Sequence, residues 1–520
     1  MMTRSSRARM ALVAAMAVVA LFSSVPPAHA DLGAEIARAV SATGLKKARI
    51  AVSVRRVDAA GDSGARSASS VPSVSILASE PLVPASNMKL MTTGAALLTL
   101  GADFSFRTRL VLAGERLVIV GDGDPAFADP TLLAESVMTL PNGTVKQGIT
   151  VDDLVGAWVR AVAASGITSV REVIADDRIF AREGHHPVWP RDQLSESYCT
   201  PPSGINFHLN ALRIWPKHVA GGAPDLSRMQ PAIPGLDIRN KASSRNRKND
   251  RNSIWFAIDP ADGSLTAHGN VKQSYVEPVE VALADPASSL ALLLAERLKE
   301  AGVAVGGARS AIASDPAPAG RTIGPVIESP LSTVITRCNV DSQNMYAEAL
   351  LKRIAFARTG KPGNWTDGAR AVHETVARVI GVQSAMPFAV SDGSGLSRAN
   401  RVTADGMTRW LVALAEDPAA GRVFADSLAV NGRTGTVRKR MNDIDPAHAV
   451  VQCKTGYIDG TSCLSGYVTA PDGRRYAFSV LANGLTEPAA VSKAKQLQDR
   501  VARILADELR DSAPRTAMGG

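Results

Sequence analysis

The sequence predicts an α/β protein in which one domain is built from both ends of the chain and is interrupted by a large β-rich insertion. Three observations support this prediction. About 490 residues follow a leader-like segment, more than one ordinary hydrophobic core holds, so two or three domains are expected. Patterns typical of helices and strands occur in residues 31–100 and again in residues 301–512. The intervening residues 101–300 are rich in strand patterns with some helix.

The first 30 residues have the pattern of a secretory signal peptide. Three arginines precede an apolar run from Met10 to Phe22, and Ala28-His29-Ala30 supplies small residues for cleavage before Asp31. The run has 13 residues, fewer than the roughly 20 that span a bilayer, and no cysteine follows it for a lipid anchor. The sequence therefore predicts an exported, periplasmic protein whose association with the envelope is peripheral.

The first part of the discontinuous domain, residues 31–100, carries an opening helix, a strand and a second helix. The strand is predicted over Ala48–Val54. The second helix opens at Ser86, and its apolar run from Lys89 ends at Gly101. Because residues three apart share one face of a helix, Lys89 is expected to fold back towards the Ser86 hydroxyl.

The insertion, residues 101–300, combines strands with single helices. A hairpin is predicted over Phe104–Val120, and an amphipathic helix over Val151–Ala164. A further helix is predicted over Ala287–Ala301, entered just after Asp285-Pro286.

One segment of the insertion is strongly basic. Removal of the three leader arginines lowers the formal net charge from +9 to +6, a mild excess that suits an anionic polymer without requiring nucleic acid. Six cations and four asparagines lie close together in this segment. We favour a solvated loop, and the alternative is a surface for anionic polymers of the cell envelope. The cations are Arg239, Lys241, Arg245, Arg247, Lys248 and Arg251.

The second part of the discontinuous domain covers residues 301–512, followed by a C-terminal tail, residues 513–520. Ser342-Gln343-Asn344 heads a helical stretch. Lys454-Thr455-Gly456 lies in a strand pattern, and a turn at Asp459-Gly460 leads to a second strand, which predicts a hairpin. The domain closes with an amphipathic helix whose apolar positions are Val491, Ala494, Leu497, Val501, Ile504 and Leu505.

Three short motifs from the two ends of the chain together predict a serine acyl-transfer site. They are Ser86-Asn87-Met88-Lys89, Ser342-Gln343-Asn344 and Lys454-Thr455-Gly456, in this order. A serine hydroxyl needs a proton acceptor within hydrogen-bonding reach, and Lys89 can serve if burial near the cation of Lys454 lowers its pKa. Each motif alone is weak, since Ser492-Lys493-Ala494-Lys495 also matches the first. Their order and local settings carry the prediction, and their positions require a discontinuous domain.

The cysteines and histidines do not have the spacing of metal ligands. In an exported chain, four cysteines permit two disulfide bonds, and four free buried thiols are the alternative. A bridge involving Cys338 or Cys453 would brace the second or third motif. The adjacent pair His185-His186 is interpreted as part of a loop, so we predict neither a metal nor a cofactor. The remaining cysteines are Cys199 and Cys463.

The ordered trio resembles that of the penicillin-binding proteins and serine β-lactamases. The distance from Ser86 to Ser342 is 256 residues. Such a long insertion resembles the class C low-molecular-mass penicillin-binding proteins of peptidase family S13, the D-alanyl-D-alanine carboxypeptidase/endopeptidases of the penicillin-binding protein 4 type. The resemblance runs from about residue 45 to residue 505. It includes Gly121–Pro125, Gly166-Ile167, Val173–Asp177, Tyr198–Asn206, Asn210, Ser329–Leu331 and Asp392–Ser397.

This resemblance implies a β-lactamase/transpeptidase-like catalytic domain, with a sheet flanked by helices and an inserted region of two smaller β-rich domains. It implies cleavage of D-Ala-D-Xaa bonds in peptidoglycan stem peptides through an acyl-enzyme, with β-lactam antibiotics as covalent inhibitors. Carboxypeptidase and endopeptidase action both stay open, as do the diamino acid of the stem peptide and the oligomeric state.

The resemblance also implies the catalytic roles. Ser86 attacks the carbonyl carbon and Lys89 takes its proton. Ser342 relays a proton to the leaving nitrogen, while Asn344 holds Lys89 and the substrate amide.

The third motif is implied to bind the substrate. Lys454 attracts its carboxylate and Thr455 adds a hydroxyl. The backbone N–H groups of Ser86 and of Tyr457, the residue after Gly456, form the oxyanion hole. Many relatives have serine or threonine where this chain has Tyr457. Its phenol cannot occupy the place of that hydroxyl, so carboxylate recognition is expected to differ.

Three other functions fit parts of the pattern. A serine β-lactamase shares the trio but deacylates penicillin rapidly, and it lacks so long an insertion. An esterase of the same superfamily usually has tyrosine where Ser342 stands. A non-catalytic cell-wall binding protein would retain the three motifs as a relic.

Overall fold

The computed structural model describes residues 28–57, 72–139, 143–259 and 263–513. The predicted signal peptide, apart from its last three residues, lies outside the described residues, and so does the tail after residue 513. Within the described ranges, no helix combines the length and the apolar character needed to cross a membrane.

The N-terminal part of the chain contributes two helices and two short or medium strands. They are α1 (Ala28–Ala42), β1 (Arg49–Val57), β2 (Val74–Ile76) and α2 (Met88–Leu100). A single 3₁₀ turn, Ala85–Asn87, leads directly into α2. Gly101 ends α2 at a φ of 92°, which glycine adopts without the steric cost of a Cβ atom.

The middle of the chain contributes mostly strands. Its three helices have clear start signals. Thr150 and Asp153 form a capping box at α4, while Asp129 caps α3 and Asp285 caps α5, each ahead of a proline. The elements are β3 (Ser105–Ala113), β4 (Arg116–Val120), α3 (Pro130–Glu135), β5 (Val137–Thr139), β6 (Val145–Gln147), α4 (Val151–Ala164), β7 (Ser169–Val170), β8 (Glu172–Asp176), β9 (Ala211–Ile214), β10 (Met229–Gln230), β11 (Ile238–Asn240), β12 (Trp255–Ile258), β13 (Leu265–His268), β14 (Val279–Ala282), α5 (Pro286–Glu300), β15 (Ala304–Val305), β16 (Ala308–Ser310) and β17 (Arg321–Pro330).

The C-terminal part is helical at first and ends with an antiparallel meander and a long helix. Its elements are α6 (Leu331–Val340), α7 (Asn344–Thr359), α8 (Trp365–Ile380), α9 (Val382–Ala385), α10 (Ala404–Glu416), α11 (Gly421–Asp426), β18 (Ala429–Val430), β19 (Val450–Ile458), β20 (Thr461–Thr469), β21 (Arg475–Asn483) and α12 (Pro488–Asp511).

One six-stranded sheet joins the two ends of the chain. Its strand order is β18-β19-β20-β21-β1-β2. β1 pairs antiparallel with β21 along its whole length, from Arg49 opposite Asn483 to Val57 opposite Arg475. The N-terminal and C-terminal segments are therefore parts of one structural unit.

Helices cover both faces of this sheet. On one face, α2, α6, α7, α8 and α10 share a core that includes Trp410 and Tyr467. On the other face, α1 and α12 bury apolar side chains such as Leu497 and Val501 against the strands. Successive residues of a strand point to opposite faces, so β20 and β21, which lie in the middle of the sheet between the two helical layers, are buried along nearly their whole length.

The insertion is organised around a five-stranded sheet with the order β16-β8-β4-β3-β17, next to two three-stranded sheets, β10-β9-β14 and β11-β13-β12. Helices α4 and α5 pack on these strands, and one cluster of buried side chains runs through all three sheets. The predicted fold class, an α/β protein with a large β-rich insertion, is confirmed. The division of the insertion into two domains stays a prediction.

The predicted inner boundary at residue 300 needs correction. β15, β16 and β17 follow residue 300, yet they pair with β7, β8 and β3 of the insertion. The insertion therefore continues to Pro330. The sequence analysis ended it too early because pairing between strands far apart in sequence leaves no local pattern. At its base the Leu331 N–H donates to the Phe104 carbonyl at 2.8 Å, so the chain leaves and re-enters the first unit at one point.

Candidate active site

The 3₁₀ turn before α2 presents Ser86 at the surface of an otherwise buried segment. Ala85 has a φ of 48°, a left-handed value that is uncommon for a residue with a side chain. Gly395 packs directly against this turn, and a Cβ atom there would lie 1.8 Å from the Ala85 carbonyl oxygen. The strained turn is thus held in place by a neighbouring backbone rather than by its own sequence.

Lys89 lies one turn further along and is completely buried. Its Nζ donates to Ser86 Oγ at 3.2 Å, to Asn344 Oδ1 at 2.7 Å and to the Ser394 carbonyl at 3.0 Å. Burial lowers the pKa of Lys89, and the nearby Glu348 and Asp392 carboxyls only partly oppose this effect. The predicted Ser86–Lys89 proximity is therefore present, with an amine inclined towards its neutral form.

The loop that supplies the Ser394 carbonyl is held by two buried carboxyls. Glu348 accepts from the backbone N–H groups of Gly393 and Ser394, both at 2.8 Å. Asp392 accepts from Trp189 Nε1 at 2.9 Å and from the Gly395 N–H at 2.8 Å. Burial raises the pKa of Glu348 to about 8. The sequence analysis identifies Asp392–Ser397 only as a segment that resembles the family and assigns it no supporting function.

Ser342 and Lys454 form a second pair beside the first. Ser342 has a φ of 61°, and its Oγ accepts from Lys454 Nζ at 2.9 Å. Lys454 also donates to the Thr455 carbonyl at 2.9 Å. Burial, followed by repulsion from Lys89, lowers the pKa of Lys454 to about 7. Lys454 was expected to lower the pKa of Lys89. The lowering on Lys89 comes from burial, and the repulsion between the two cations acts on Lys454.

Asn344, the first residue of α7, joins Lys89 to the insertion. Its Oδ1 accepts from Lys89, and its Nδ2 donates to the backbone carbonyl of Tyr198 at 2.9 Å. Tyr198 lies in the segment Ser197–Cys199, between β8 and β9. The insertion therefore reaches the edge of the site through a main-chain group, which side-chain motifs do not reveal.

The third motif lies on β19, against the Ser86 turn. A Cβ atom on Gly456 would lie 2.6 Å from the Pro84 carbonyl oxygen, so only glycine permits this approach. Thr455 Oγ1 is 2.8 Å from Thr436 Oγ1, a hydroxyl that the sequence analysis did not identify. Thr436 belongs to Arg433-Thr434-Gly435-Thr436, which resembles the third motif itself.

The Tyr457 side chain lies on the same face of β19 as that of Thr455, since the two residues are two apart on one strand, and it extends mostly into solvent. It is 55% exposed, and Lys495 Nζ of α12 lies 5.4 Å from the centre of its ring. The Val451 N–H donates to Asn431 Oδ1 on the β18 side. Because N–H groups of a strand alternate in direction, that of Tyr457 points to the same edge, beyond the end of β18. The backbone N–H of Tyr457 thus points into open space at the edge of β19 where the three motifs meet.

The cysteines and the histidine pair have local structural partners. All four cysteines are free and buried, so the predicted alternative of disulfides is not realised. Cys338 lies beneath the two lysines, whose charges oppose the rise of its pKa to about 12 caused by burial. His185 and His186 donate to the carbonyls of Leu194 and Ser391. The described residues contain no group of side chains arranged to hold a metal ion.

The three motifs therefore meet in space. Two lysine–serine pairs stand side by side, with Asn344 at one end and the β19 edge at the other. Sequence reasoning missed the groups that hold them, namely the Ser394 and Tyr198 carbonyls, the Glu348 and Asp392 carboxylates and the Thr436 hydroxyl. Only Asp392–Ser397 and Tyr198 carried a signal, as segments similar to a family. This arrangement can activate one hydroxyl, relay a proton through another and present positive charge to a carboxylate.

Comparisons with known proteins agree with this geometry. The description of the matching family is D-Ala-D-Ala carboxypeptidase 3 (S13), over residues 34–505. A D-alanyl-D-alanine carboxypeptidase of Actinomadura sp. (strain R39) is 31% identical over 461 residues, which cover 84% of this chain and 79% of that protein. Carboxypeptidase DacB of Mycolicibacterium smegmatis is 27% identical over 412 residues, 78% of this chain and 72% of its own.

A solved structure is similar over nearly the whole fold. The crystal structure of penicillin-binding protein 4 from Haemophilus influenzae matches with a TM-score of 0.69 and 18% identity, covering 90% of this chain and 99% of that chain. At this identity the match concerns the fold. The family match over most of the sequence confirms the predicted function and enzyme class, and the chain belongs to the D-Ala-D-Ala carboxypeptidase 3 (S13) family of peptidases.

Proposed function

We propose that this protein hydrolyses D-Ala-D-Xaa bonds of peptidoglycan stem peptides through an acyl-enzyme on Ser86. The observation that carries the proposal is the 3.2 Å contact between Lys89 Nζ and Ser86 Oγ inside a fully bonded, buried network. A lysine whose pKa is lowered by burial can take the hydroxyl proton, and a positioned base of this kind contributes roughly 10² to 10⁴ in rate.

Acylation then moves one proton from Ser86 to the leaving amine by way of the two lysine–serine pairs. Ser86 Oγ attacks the carbonyl carbon as its proton passes to Lys89 Nζ, which gives a tetrahedral intermediate. The N–H groups of Ser86 and Tyr457 donate to the oxyanion, and loss of one such donor costs about 10² to 10³ in turnover. The intermediate expels the leaving amine, which receives a proton from Ser342 Oγ, and Ser342 recovers one from Lys454. The proton that Lys89 took from Ser86 then passes to Lys454, so that both lysines return to their starting charge states. Water later hydrolyses the Ser86 ester.

The substrate carboxylate is proposed to bind at the β19 edge. Lys454 supplies positive charge, while Thr455 and Thr436 offer two adjacent hydroxyls. Since Tyr457 turns its ring towards Lys495, Thr436 takes the place of the hydroxyl that many relatives carry after the third motif. Specificity for carboxylate-terminated peptides thus rests on Thr436 rather than on Tyr457.

The location and the inhibitors follow from the same reaction. Stem peptides are found outside the cytoplasmic membrane, so the proposed substrate agrees with export to the periplasm by the leader of residues 1–30. Penicillin-binding protein 4 of Haemophilus influenzae has been crystallised in complex with a β-lactam. We propose that β-lactams acylate Ser86 in this chain, because their strained amide mimics the scissile bond.

A labelled penicillin tests the assignment. The wild-type protein is expected to become covalently labelled, and Ser86→Ala is expected to lose the label completely. Ser492→Ala is a matched control, because Ser492 heads the other Ser-x-x-Lys sequence on exposed α12. Labelling that persists in Ser86→Ala, or disappears in Ser492→Ala, would contradict the proposal.

The alternatives give different results in the same experiment. A β-lactamase would release hydrolysed penicillin rapidly, whereas a stable label favours a peptidase. A non-catalytic wall-binding protein would show no label and no cleavage of a D-Ala-D-Ala peptide, and Lys89→Ala would leave its wall binding unchanged. An esterase would cleave simple esters and spare the peptide.

A further inference from the structure

A surface on the insertion carries cations without counter-charges. Arg239, Lys241, Arg245, Arg247, Lys248 and Arg251 are all exposed, and we call them the basic loop surface. Within the described chain, none of the six forms an ion pair, in contrast to Arg213, which pairs with Glu280 at 3.0 Å in the same insertion. The carboxylate within the segment, Asp250, accepts instead from the Arg247 backbone N–H at 2.8 Å.

The backbone beneath these cations is a built structure. Asn270 is 93% buried, and its Oδ1 accepts from the Arg245 N–H at 2.8 Å while its Nδ2 donates to the Arg245 and Arg251 carbonyls at 3.1 and 3.2 Å. Asn252 Oδ1 accepts from the Lys272 and Gln273 N–H groups at 2.8 and 3.0 Å. Since buried polar side chains that satisfy a loop backbone fix its course, the cations project from a fixed support. The sequence analysis favours a loop that is only solvated. Such a loop does not need asparagine side chains that fix its backbone.

Groups suited to sugars lie within the basic loop and shortly after it in the chain. Trp255 directly follows the loop on β12, is 53% exposed and stacks on His268 with ring centres 4.4 Å apart. The amide side chains of Asn246 and Asn249 are exposed and bonded to no described residue. Free amides between cations, followed in the chain by an exposed indole, can meet a polymer that has hydroxyls, negative charges and apolar ring faces.

We propose that the basic loop surface, together with Trp255, is a binding site for an anionic glycan, a sugar polymer that bears carboxylate or phosphate groups. The site is separate from Ser86 and does not depend on acyl transfer. Its fixed backbone lowers the ordering cost of binding, and its unpaired cations attract the polymer over a distance set by ionic strength.

Anionic lipid is the competing partner for a basic surface. Membrane-surface binding usually combines cations with several apolar side chains that enter the interface. The exposed side chains between the six cations are asparagines, while the exposed apolar residues Val219, Trp255 and Val276 lie outside that segment. This composition favours a hydrated polymer over a bilayer.

Binding to defined polymers tests the proposal. The purified protein is titrated with dextran sulfate, with neutral dextran and with vesicles of phosphatidylglycerol and phosphatidylcholine. We expect binding to dextran sulfate alone, and Arg245→Glu/Arg247→Glu/Lys248→Glu/Arg251→Glu is expected to weaken it at least about tenfold at low salt. The matched control, Lys46→Glu/Lys47→Glu/Lys361→Glu/Arg378→Glu, changes the net charge equally at exposed positions elsewhere and should retain binding.

Purified peptidoglycan provides the natural counterpart. The loop variant should sediment less with it than the control variant does, while both cleave a short D-Ala-D-Ala peptide at the wild-type rate. Equal losses in both variants would show that overall charge alone is responsible and would overturn the proposal. So would unchanged binding of the loop variant, or wild-type binding to vesicles in preference to dextran sulfate.

Discussion

At the scale of single residues, the two buried lysines of the site need opposite charge states. Lys89 acts as a base only when neutral, whereas Lys454 attracts a carboxylate only when protonated. Burial lowers both pKa values, that of Lys454 to about 7. A site that desolvates both amines therefore gains a base and restricts the pH at which it recognises its substrate.

We predict that kcat/KM for a peptide with a free terminal carboxylate falls as the pH rises through about 7, as Lys454 loses its proton. The methyl ester of the same peptide should show a smaller fall, because Lys454 then acts only as the proton source of Ser342 and has no carboxylate to attract. Rate measurements from pH 5 to 9 on both substrates check this. Glu348, whose pKa is raised to about 8, is controlled for by Glu348→Gln. Identical profiles for the two substrates would contradict the role of Lys454.

Thr436 carries a second prediction at this scale. Thr436→Val removes one hydroxyl of the Thr436–Thr455 pair and keeps the side-chain shape. A hydrogen bond to a charged group is worth about 1.5–3 kcal/mol, so kcat/KM for the carboxylate peptide should fall roughly tenfold or more. The methyl ester again serves as control, and a similar loss on both substrates would point to a structural effect. Tyr457→Phe should leave both rates unchanged.

At the scale of elements, the active-site turn depends on a loop that packs against it. The 3₁₀ turn holds Ala85 at a left-handed φ, and the glycine-rich loop after α9 approaches so closely that side chains are excluded. Strain in the turn is thus sustained by a neighbour that is itself fixed by Glu348 and Asp392.

Gly395→Ala tests whether the close approach of Gly395 to the Ser86 turn is needed for activity. A Cβ atom at Gly395 would lie 1.8 Å from the Ala85 carbonyl oxygen, so the turn or the loop has to move. We expect the rate of penicillin labelling to fall by at least about 100-fold, as for displaced catalytic groups. Gly381→Ala is the matched control, because Gly381 has nearly the same φ, 87° against 85°, and nothing within 4 Å. Its cost should be about 1–3 kcal/mol of unfolding free energy, because a φ of 87° with a ψ of 145° strains any residue with a Cβ atom. Thermal melting measures this cost, and labelling should be retained.

At the scale of the whole molecule, the insertion is part of the active site as well as an appendage to it. Tyr198 bonds Asn344 through its carbonyl, and Phe180, Trp189 and Cys199 of the insertion belong to the same buried cluster as α2 and α7. The helical face of the six-stranded sheet is therefore completed by residues of the insertion.

Replacing residues 105–330 by a short glycine linker tests this dependence. The Leu331 N–H and the Phe104 carbonyl already lie 2.8 Å apart, so the linker spans almost no distance. We nevertheless expect loss of penicillin labelling and a lowered melting temperature, because apolar side chains of the cluster become exposed. A shortened protein that labels at the wild-type rate would show that the six-stranded unit needs no help from the insertion.

Sequence reasoning reached the parts of the molecule that local patterns specify. The helix after Ser86, the hairpin of Lys454 and the helix over Val151–Ala164 each have start, stop or periodicity signals, and all are present. The boundary at residue 300 was wrong because β17 returns to β3 across 200 residues of chain, a pairing that no local pattern records. The Ser394 and Tyr198 contributions were missed because every residue has a carbonyl group, and only the fold selects which one meets Lys89 or Asn344.

The sheet that joins both chain ends also determines when activity can arise. The Val83 N–H, just before the Ser86 turn, donates to Asn483 Oδ1, 400 residues later, and β1 has no complete partner until β21 exists. Contacts so distant in sequence form late and slowly during folding. A chain still being synthesised therefore lacks a finished nucleophile. Acyl transfer begins only once the last strand has been added, which ties the onset of activity to the completion of folding.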